Sequence, residues 1–322
     1  MDFLTIDGML RPETFEEYIG QNKIKENLRV ILEAAKKRNE ACDHLLFYGQ
    51  AGLGKTTLAY LVAKDLGCSI KVTTGPALEK MGDLAAVLSN LEEKEVLFID
   101  EAHRINKTIE EVLYPAMESR KLHLVIGKGP GARTVSLDLP AFTIIAATTK
   151  PHLLSAPLRS RFGASFKLDY YDLSNINEII ARSAKLLSLK ITPEAADVLA
   201  TAARFTPRVA NRLIKRARDY AEVNDKNEID SVVARATLKM LEIDELGLEA
   251  MDRRMLQLIV DKFDGGPVGV NSLAAALNDD PHNLEDIYEP YLISLGFLQR
   301  TSAGRVVSEE GYKYLGLEGK KG

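Results

Sequence analysis

Eight consecutive residues, Gly49-Gln50-Ala51-Gly52-Leu53-Gly54-Lys55-Thr56, carry the spacing Gly-x4-Gly-Lys-Thr. Glycines at this spacing let the backbone turn its N–H groups inward around an anion, and a helix starting behind them aims its positive end at the same point. The chemistry suits the phosphates of a nucleotide such as ATP. Gly52 and Gly54 shape the loop, Lys55 reaches the β- and γ-phosphates, and the Thr56 hydroxyl ligates Mg²⁺. A second group lies downstream, where Val96-Leu97-Phe98-Ile99 ends in Asp100-Glu101. Four apolar residues closed by two acids describe a buried parallel strand with carboxylates at its ligand-binding end. Asp100 would hold the Mg²⁺ through water, and Glu101 would polarise an attacking water. A further strand, Thr143 to Ala147, ends in Thr148-Thr149-Lys150, a polar tip able to hydrogen-bond that water or the γ-phosphate.

These residues need a scaffold, and the surrounding periodicity supplies one. His44 to Tyr48 reads as a buried strand ahead of the glycine loop. Thr57 to Leu66 reads as the helix behind it, with Leu58, Leu61, Val62 and Leu66 inward and Gly67 closing it. Ile24, Leu28, Ile31 and Leu32 mark an earlier helix, after the turns at Leu10-Arg11-Pro12 and Tyr18-Ile19-Gly20. A strand over Ser69–Thr73 and a helix over Gly82–Leu91 continue the alternation, so residues 1–171 form an α/β domain with a parallel sheet. Between the acid pair and the strand at Thr143, Leu122, Leu124 and Ile126 alternate on one arm and Val135, Leu137 and Leu139 on the other. Lys128-Gly129-Pro130-Gly131 turns between them, which predicts an apolar hairpin. In Pro157-Leu158-Arg159-Ser160-Arg161-Phe162-Gly163, the arginine pair by itself reads as surface charge.

From about residue 172 the pattern turns wholly helical: 175–187, 193–204, 207–223 and 229–241, giving a small all-α domain over 172–241. Thr206-Pro207-Arg208 is a helix start with threonine as cap and proline at the first position. Arg208 thus opposes the helix dipole, which a nearby phosphate would explain. Residues 242–322 read as helices 256–263, 272–277 and 284–295, then a hairpin from Phe297 to Val307 about Ser302-Ala303-Gly304. This is a winged-helix order, used for DNA and for protein contacts alike.

Bulk properties narrow the class. A chain of 322 residues that is 46% apolar and 27% charged is long enough for two or three globular domains. A net charge of −4 argues against a broad basic surface. Cys42 and Cys68 support neither a disulfide framework nor a metal site, so a reducing, cytoplasmic setting is the expectation. The start, Met1-Asp2-Phe3-Leu4, lacks a signal-peptide pattern, and no apolar run is long enough to span a membrane.

With these parts in line the sequence resembles the AAA+ ATPases and, within them, the family of Holliday-junction branch-migration motors. The motifs that carry the resemblance are Gly49–Thr57, Leu97–Glu101, Leu113-Tyr114-Pro115-Ala116-Met117-Glu118, Pro157–Gly163, Thr206-Pro207-Arg208 and Tyr288-Glu289-Pro290-Tyr291-Leu292. It runs from Leu10-Arg11-Pro12 to Tyr312-Lys313-Tyr314-Leu315. It implies a homohexameric ring on duplex DNA that couples ATP hydrolysis, with Mg²⁺, to branch migration in recombination and repair. It also implies a RuvA-like junction-binding partner and a RuvC-like resolvase. By the same resemblance Lys55, Thr56 and Thr57 form the phosphate and Mg²⁺ site, and Leu10, Arg11, Tyr171 and Arg208 line the nucleotide, with Arg208 as second sensor. Thr149 is the first sensor and Arg161 the arginine finger acting on a neighbouring subunit's ATP. Glu118, Ser119 and Arg120 also approach the nucleotide, and Arg300 and Arg305 contact DNA.

The chain departs from that family at a few places. Gln50-Ala51 replaces two prolines, Ala102 a larger aliphatic residue, Lys150 an arginine and Phe205 a glycine. Phe205 beside Arg208 is expected to shift the second sensor. Two other readings stand beside this one: a clamp-loader or initiator ATPase, against which the signatures after residue 110 count, and a protein-remodelling ATPase whose winged helix binds protein. The hairpin at 122–139 is the candidate docking site for the partner. If Thr301 to Gly304 connect the last hairpin, Arg300 and Arg305 oppose each other, a costly pairing that an anion between them would relieve. With 8 basic against 15 acidic residues from Glu242 onward, few phosphate contacts and weak, sequence-independent DNA binding are expected.

Overall fold

The computed structural model describes residues 6–126 and 133–317. The chain divides into two compact units, Met1–Leu186 with Phe205–Asn211 and Leu187–Arg204 with Arg212–Gly322. In the first, α1 (Ile6–Leu10) and α2 (Asn22–Arg38) lead into β1 (Leu45–Tyr48), α3 (Lys55–Leu66), β2 (Ile70–Thr74), α4 (Met81–Ser89), β3 (Val96–Asp100) and α5 (Lys107–Ser119). A hairpin of β4 (Lys121–Ile126) and β5 (Arg133–Asp138) precedes β6 (Thr143–Thr148), α6 (Ala156–Arg159), β7 (Ala164–Lys167) and α7 (Leu173–Leu186).

Five of these strands form one parallel sheet in the order β2-β3-β6-β1-β7. The three central strands are nearly unbroken apolar runs, as strands covered on both faces must be. Leu97, Ile99, Ile144 and Ala146 join Leu84 and Leu88 of α4 and Ile109 and Leu113 of α5 in one core. Alternate residues such as Phe47, Phe98 and Ile145 are equally buried and point to the opposite face. The strand order sets the loop after β1, the acids after β3 and the polar tip of β6 side by side at one sheet edge. Edge strand β7 escapes a hydrophobic reading because only Phe166 among its four residues is buried. Among the described residues no helix is long and apolar enough to cross a membrane.

The β4–β5 hairpin stands apart from this sheet, with Leu122 opposite Leu137 and Leu124 opposite Val135. Leu122 is buried and Leu124 packs on the core, while Val135 and Leu137 are each 38% exposed. Its base is therefore structural, and Val135 and Leu137 share the face of Leu124 and Leu122 and extend it with part of each side chain in solvent. The turn Lys128-Gly129-Pro130-Gly131 and the side chain of Ile126 lie outside the described residues.

The second unit contains α8 (Pro193–Thr201), most of α9 (Pro207–Val223) and α10 (Ser231–Met240). A winged helix follows: α11 (Ala250–Phe263), α12 (Val270–Leu277), a one-turn α13 (Pro281–Asn283), α14 (Glu289–Ser294), β8 (Leu298–Thr301), β9 (Gly304–Val307) and α15 (Glu309–Tyr314). Two expectations need correction. The helix foreseen over 193–204 stops at Thr201, and Arg204 and Phe205 both turn left-handed at φ 52° and 55°. The helix foreseen over 284–295 is not regular, because Leu284–Tyr288 form a wide π turn ahead of α14. Pro290 explains it: it has no N–H to offer Asp286, and its ring would strike that carbonyl in a regular helix.

Candidate functional site

The loop after β1 has the backbone its glycines permit. Gly52 and Gly54 take φ 83° and 97°. A Cβ at Gly52 would lie 3.0 Å from the Cβ of Arg208, and one at Gly54 would lie 2.5 Å from the Tyr18 hydroxyl. Gly54 caps α3, whose first N–H groups receive no side-chain cap. Lys55 Nζ folds back to donate to the carbonyls of Gly49 and Gln50 at 2.7 and 2.8 Å. Burial pushes its ammonium down to about 8; Asp100 works against that shift and Arg208 with it.

Across the sheet edge, Thr56 Oγ1 donates to Asp100 Oδ2 at 3.2 Å, bringing together residues 44 positions apart. A hydroxyl beside a single carboxylate is a sparse donor set. It suits Mg²⁺, which keeps several waters and takes further oxygens from phosphates. Glu101 adopts φ 48°, uncommon for a residue other than glycine and typical of strained functional positions. Its exposed carboxylate meets Arg104 Nη1 at 3.2 Å. His103 Nδ1 lies 2.9 Å from Thr148 Oγ1, which also accepts the Lys150 N–H at 3.0 Å. The acid segment and the tip of β6 are thereby tied together, with Thr149 exposed at the end.

A pocket beside the loop is lined by Leu10, Arg11, Ile19, Thr57, Tyr171 and Arg182, so stretches far apart in the chain meet there. Arg182 donates to the Leu10 carbonyl at 2.8 Å, and the Arg11 guanidinium lies over the Tyr60 ring at 5.6 Å. The Arg208 N–H reaches the Gly52 carbonyl at 3.4 Å, so the start of α9 rests on the glycine loop. Phe205 stands three residues before it. The phenylalanine accepts the left-handed conformation that glycine would take without strain, at a cost of about 1–2 kcal/mol. Its carbonyl accepts the Tyr171 N–H at 3.0 Å and its ring meets Tyr170 edge-on.

Arg161 is brought to Glu118, 3.2 Å away, and over the Tyr114 ring at 4.6 Å, while Nη1 donates to the Pro157 carbonyl at 2.7 Å. None of these partners belongs to the glycine loop. Arg120 ends α5 in a left-handed cap, and Ser119 Oγ donates to the Pro115 carbonyl at 2.9 Å.

In the winged helix, Arg300 and Arg305 oppose each other across β8 and β9 as expected. The anion between them corrects the expectation of an external phosphate, because it belongs to the chain itself. Fully buried Glu289 accepts from Arg305 Nε at 2.7 Å and from Arg300 Nε at 3.2 Å, and Glu285 accepts from Arg305 at 2.6 Å. Arg305 is nearly buried, whereas Arg300 keeps about half its side chain in solvent.

Sequence reasoning missed the site roles of Tyr18, His103, Arg104 and Arg182. His103 and Arg104 directly follow the acid pair and could have been found there. Tyr18 and Arg182 carry no local signal, since each is defined by a partner in a distant segment.

Comparison with known proteins follows this geometry. Residues 10–168 match the Holliday junction DNA helicase RuvB P-loop domain, 171–244 the RuvB AAA lid domain and 245–316 the RuvB C-terminal winged helix domain. The Holliday junction branch migration complex subunit RuvB of Chloroflexus aggregans is 55% identical over 312 residues, 97% of this chain and 89% of that protein. Its counterpart in Chloroflexus aurantiacus is 54% identical over the same shares. Among solved structures, the Thermotoga maritima RuvB Holliday junction branch migration motor superposes with a TM-score of 0.89 at 45% identity, covering 97% of this chain and all of that one.

Proposed function

The chain belongs to the RuvB family, and from that membership we propose how its residues drive an ATP-powered motor of Holliday-junction branch migration. The observation that carries the proposal is the approach of Thr56 to Asp100, 3.2 Å apart, beside Lys55. It supports reading the glycine loop as a phosphate cradle, Thr56 with Asp100 as the Mg²⁺ ligands and Glu101 as the water-activating base at one sheet edge.

ATP enters with its phosphates against the loop N–H groups and its base toward the Leu10–Tyr171 pocket. Lys55 exchanges the Gly49 and Gln50 carbonyls for phosphate oxygens. Thr56 and Asp100 would hold Mg²⁺, which would supply neutralisation of the charge developing on the phosphates. Glu101 leaves Arg104 to accept the proton of the attacking water, and Thr149 orients that water. Arg208 on the first turn of α9 meets the nucleotide beside the glycine loop. Arg161, whose partners lie outside its own glycine loop, acts on a neighbour's γ-phosphate together with the Glu118–Arg120 segment.

The wider assignments follow from the family: a homohexameric ring, domains at 1–171, 172–241 and 242–322, and a cytoplasmic setting. A RuvA-like partner docks on the 122–139 hairpin and a RuvC-like resolvase acts on the same junction. The test is migration of a synthetic four-way junction with ATP and Mg²⁺, with and without the RuvA-like protein. ATP-dependent strand separation that the partner stimulates is expected. ATP turnover stimulated by protein substrates alone, with no junction movement, would favour a remodelling ATPase.

A further inference from the structure

Three oxygens behind the glycine loop form a small triangle. The Tyr18 hydroxyl donates to the Leu53 carbonyl at 3.2 Å, and the Tyr171 hydroxyl lies 3.1 Å from both the same carbonyl and the Tyr18 oxygen. Both tyrosines are buried. Burial pushes both phenols up, Tyr18 well above its ordinary value and Tyr171 to about 12, so each keeps its proton. The Tyr171 ring sits against Gly20, where a Cβ would come within 2.7 Å of it. A Cβ at Gly54 would come within 2.5 Å of the Tyr18 hydroxyl. Both approaches depend on glycine, so the arrangement is tightly built.

Its consequence follows from peptide geometry. The Leu53 carbonyl and the Gly54 N–H belong to one planar trans peptide, in which C=O and N–H point in opposite directions. Fixing the carbonyl toward the tyrosines aims the Gly54 N–H away from them, the direction from which the nucleotide-site reading brings the phosphates. The Leu53 side chain, fully buried, anchors the same peptide from its other end. Without the hydroxyls this peptide could rotate and present an oxygen to the bound anion. We propose that Tyr18, with Tyr171, is a positioning residue that locks the Leu53–Gly54 peptide in its phosphate-binding orientation. Tyr171 thus serves the phosphates through the loop as well as lining the pocket. The inference rests on the reading of this loop as the nucleotide site.

The test separates phosphate affinity from base affinity in the full-length chain. Tripolyphosphate and adenosine are each titrated as competitors of a fluorescent ATP analogue, with Tyr18→Phe, Tyr171→Phe and the double variant. Each single change leaves one hydroxyl on the carbonyl, so the inhibition constant of tripolyphosphate should rise only about two- to fivefold. The double change should raise it about tenfold or more, the equivalent of one lost buried hydrogen bond. Adenosine, which carries no phosphate for the loop N–H groups, should stay within about twofold with Tyr18→Phe, the variant in which the control is read. Equal losses for both competitors, or no loss in the double variant, would overturn the inference. Should the double variant lose its cooperative thermal transition, the comparison rests on Tyr18→Phe alone, with the same split decisive. A wild-type chain from which tripolyphosphate displaces no analogue would overturn the nucleotide-site reading itself, a result distinct from a wild type that binds and variants that do not differ.

Discussion

Arg305 Nε donates to Glu289 Oε1 at 2.7 Å, in an ion pair whose carboxylate is fully buried and whose guanidinium is nearly so. Removing one member of a buried pair strands the other, at a cost of about 3–5 kcal/mol. Glu289→Ala should therefore shift the urea unfolding midpoint of the winged helix strongly toward lower denaturant. A change under about 0.5 kcal/mol, typical of a surface site, would contradict the arrangement.

Arg300, half exposed on the same ladder, is the better probe of DNA contact because its loss should leave the fold intact. Arg300→Gln should weaken duplex binding on all sequences alike and flatten the log-affinity versus log-salt slope by about 0.9. An unchanged slope would place the DNA grip elsewhere. The double change of Arg300 and Arg305 confounds binding with stability, since Arg305 is tied to Glu285 and Glu289.

Glu101→Gln keeps the shape of the site and removes only proton acceptance. ATP should bind with near-normal affinity while single-turnover hydrolysis falls about 10²–10⁴-fold, the span of general base catalysis. Near-normal turnover would remove Glu101 from its role.

The Lys55 ammonium is pushed down to about 8 by burial, so nucleotide affinity is expected to depend on pH. Below that value it is charged both free and beside phosphates, so affinity is flat. Above it, binding must first take up a proton, and the ATP dissociation constant should rise up to about tenfold per pH unit. Equilibrium titration across this range checks the sign; a flat profile to about pH 9.5 would contradict it.

Arg161 is expected to complete a neighbour's site, a contribution worth about 10³–10⁵ in rate. Mixing Arg161→Ala with Lys55→Ala chains, each inactive alone, should restore part of the ATPase activity in mixed assemblies. No recovery, with mixed assembly demonstrated by pull-down, would place its action within one subunit.

On the hairpin, Val135 and Leu137 are the apolar side chains to change, since each stays 38% exposed although its cross-strand partner packs on the core. Val135→Ser with Leu137→Ser should abolish partner-stimulated migration and leave basal ATP hydrolysis within about twofold, as exposed substitutions rarely disturb folding. Loss of both activities would mark the hairpin as structural.

The sequence by itself determined whatever depends on near neighbours. Glycines at 49, 52 and 54 announce a loop that only they can form, four apolar residues before Asp100 announce a covered strand, and Thr206-Pro207 announces a helix start. Register in a short hairpin is equally local, so the opposition of Arg300 and Arg305 was legible. Tertiary structure decided everything that joins distant segments: Thr56 with Asp100, Tyr18 and Tyr171 on Leu53, and Glu289 rather than a phosphate between the wing arginines. A side chain's pattern records that it is polar or apolar, but not which partner the packed core will bring to it. That choice follows from strand order and helix packing across the whole chain.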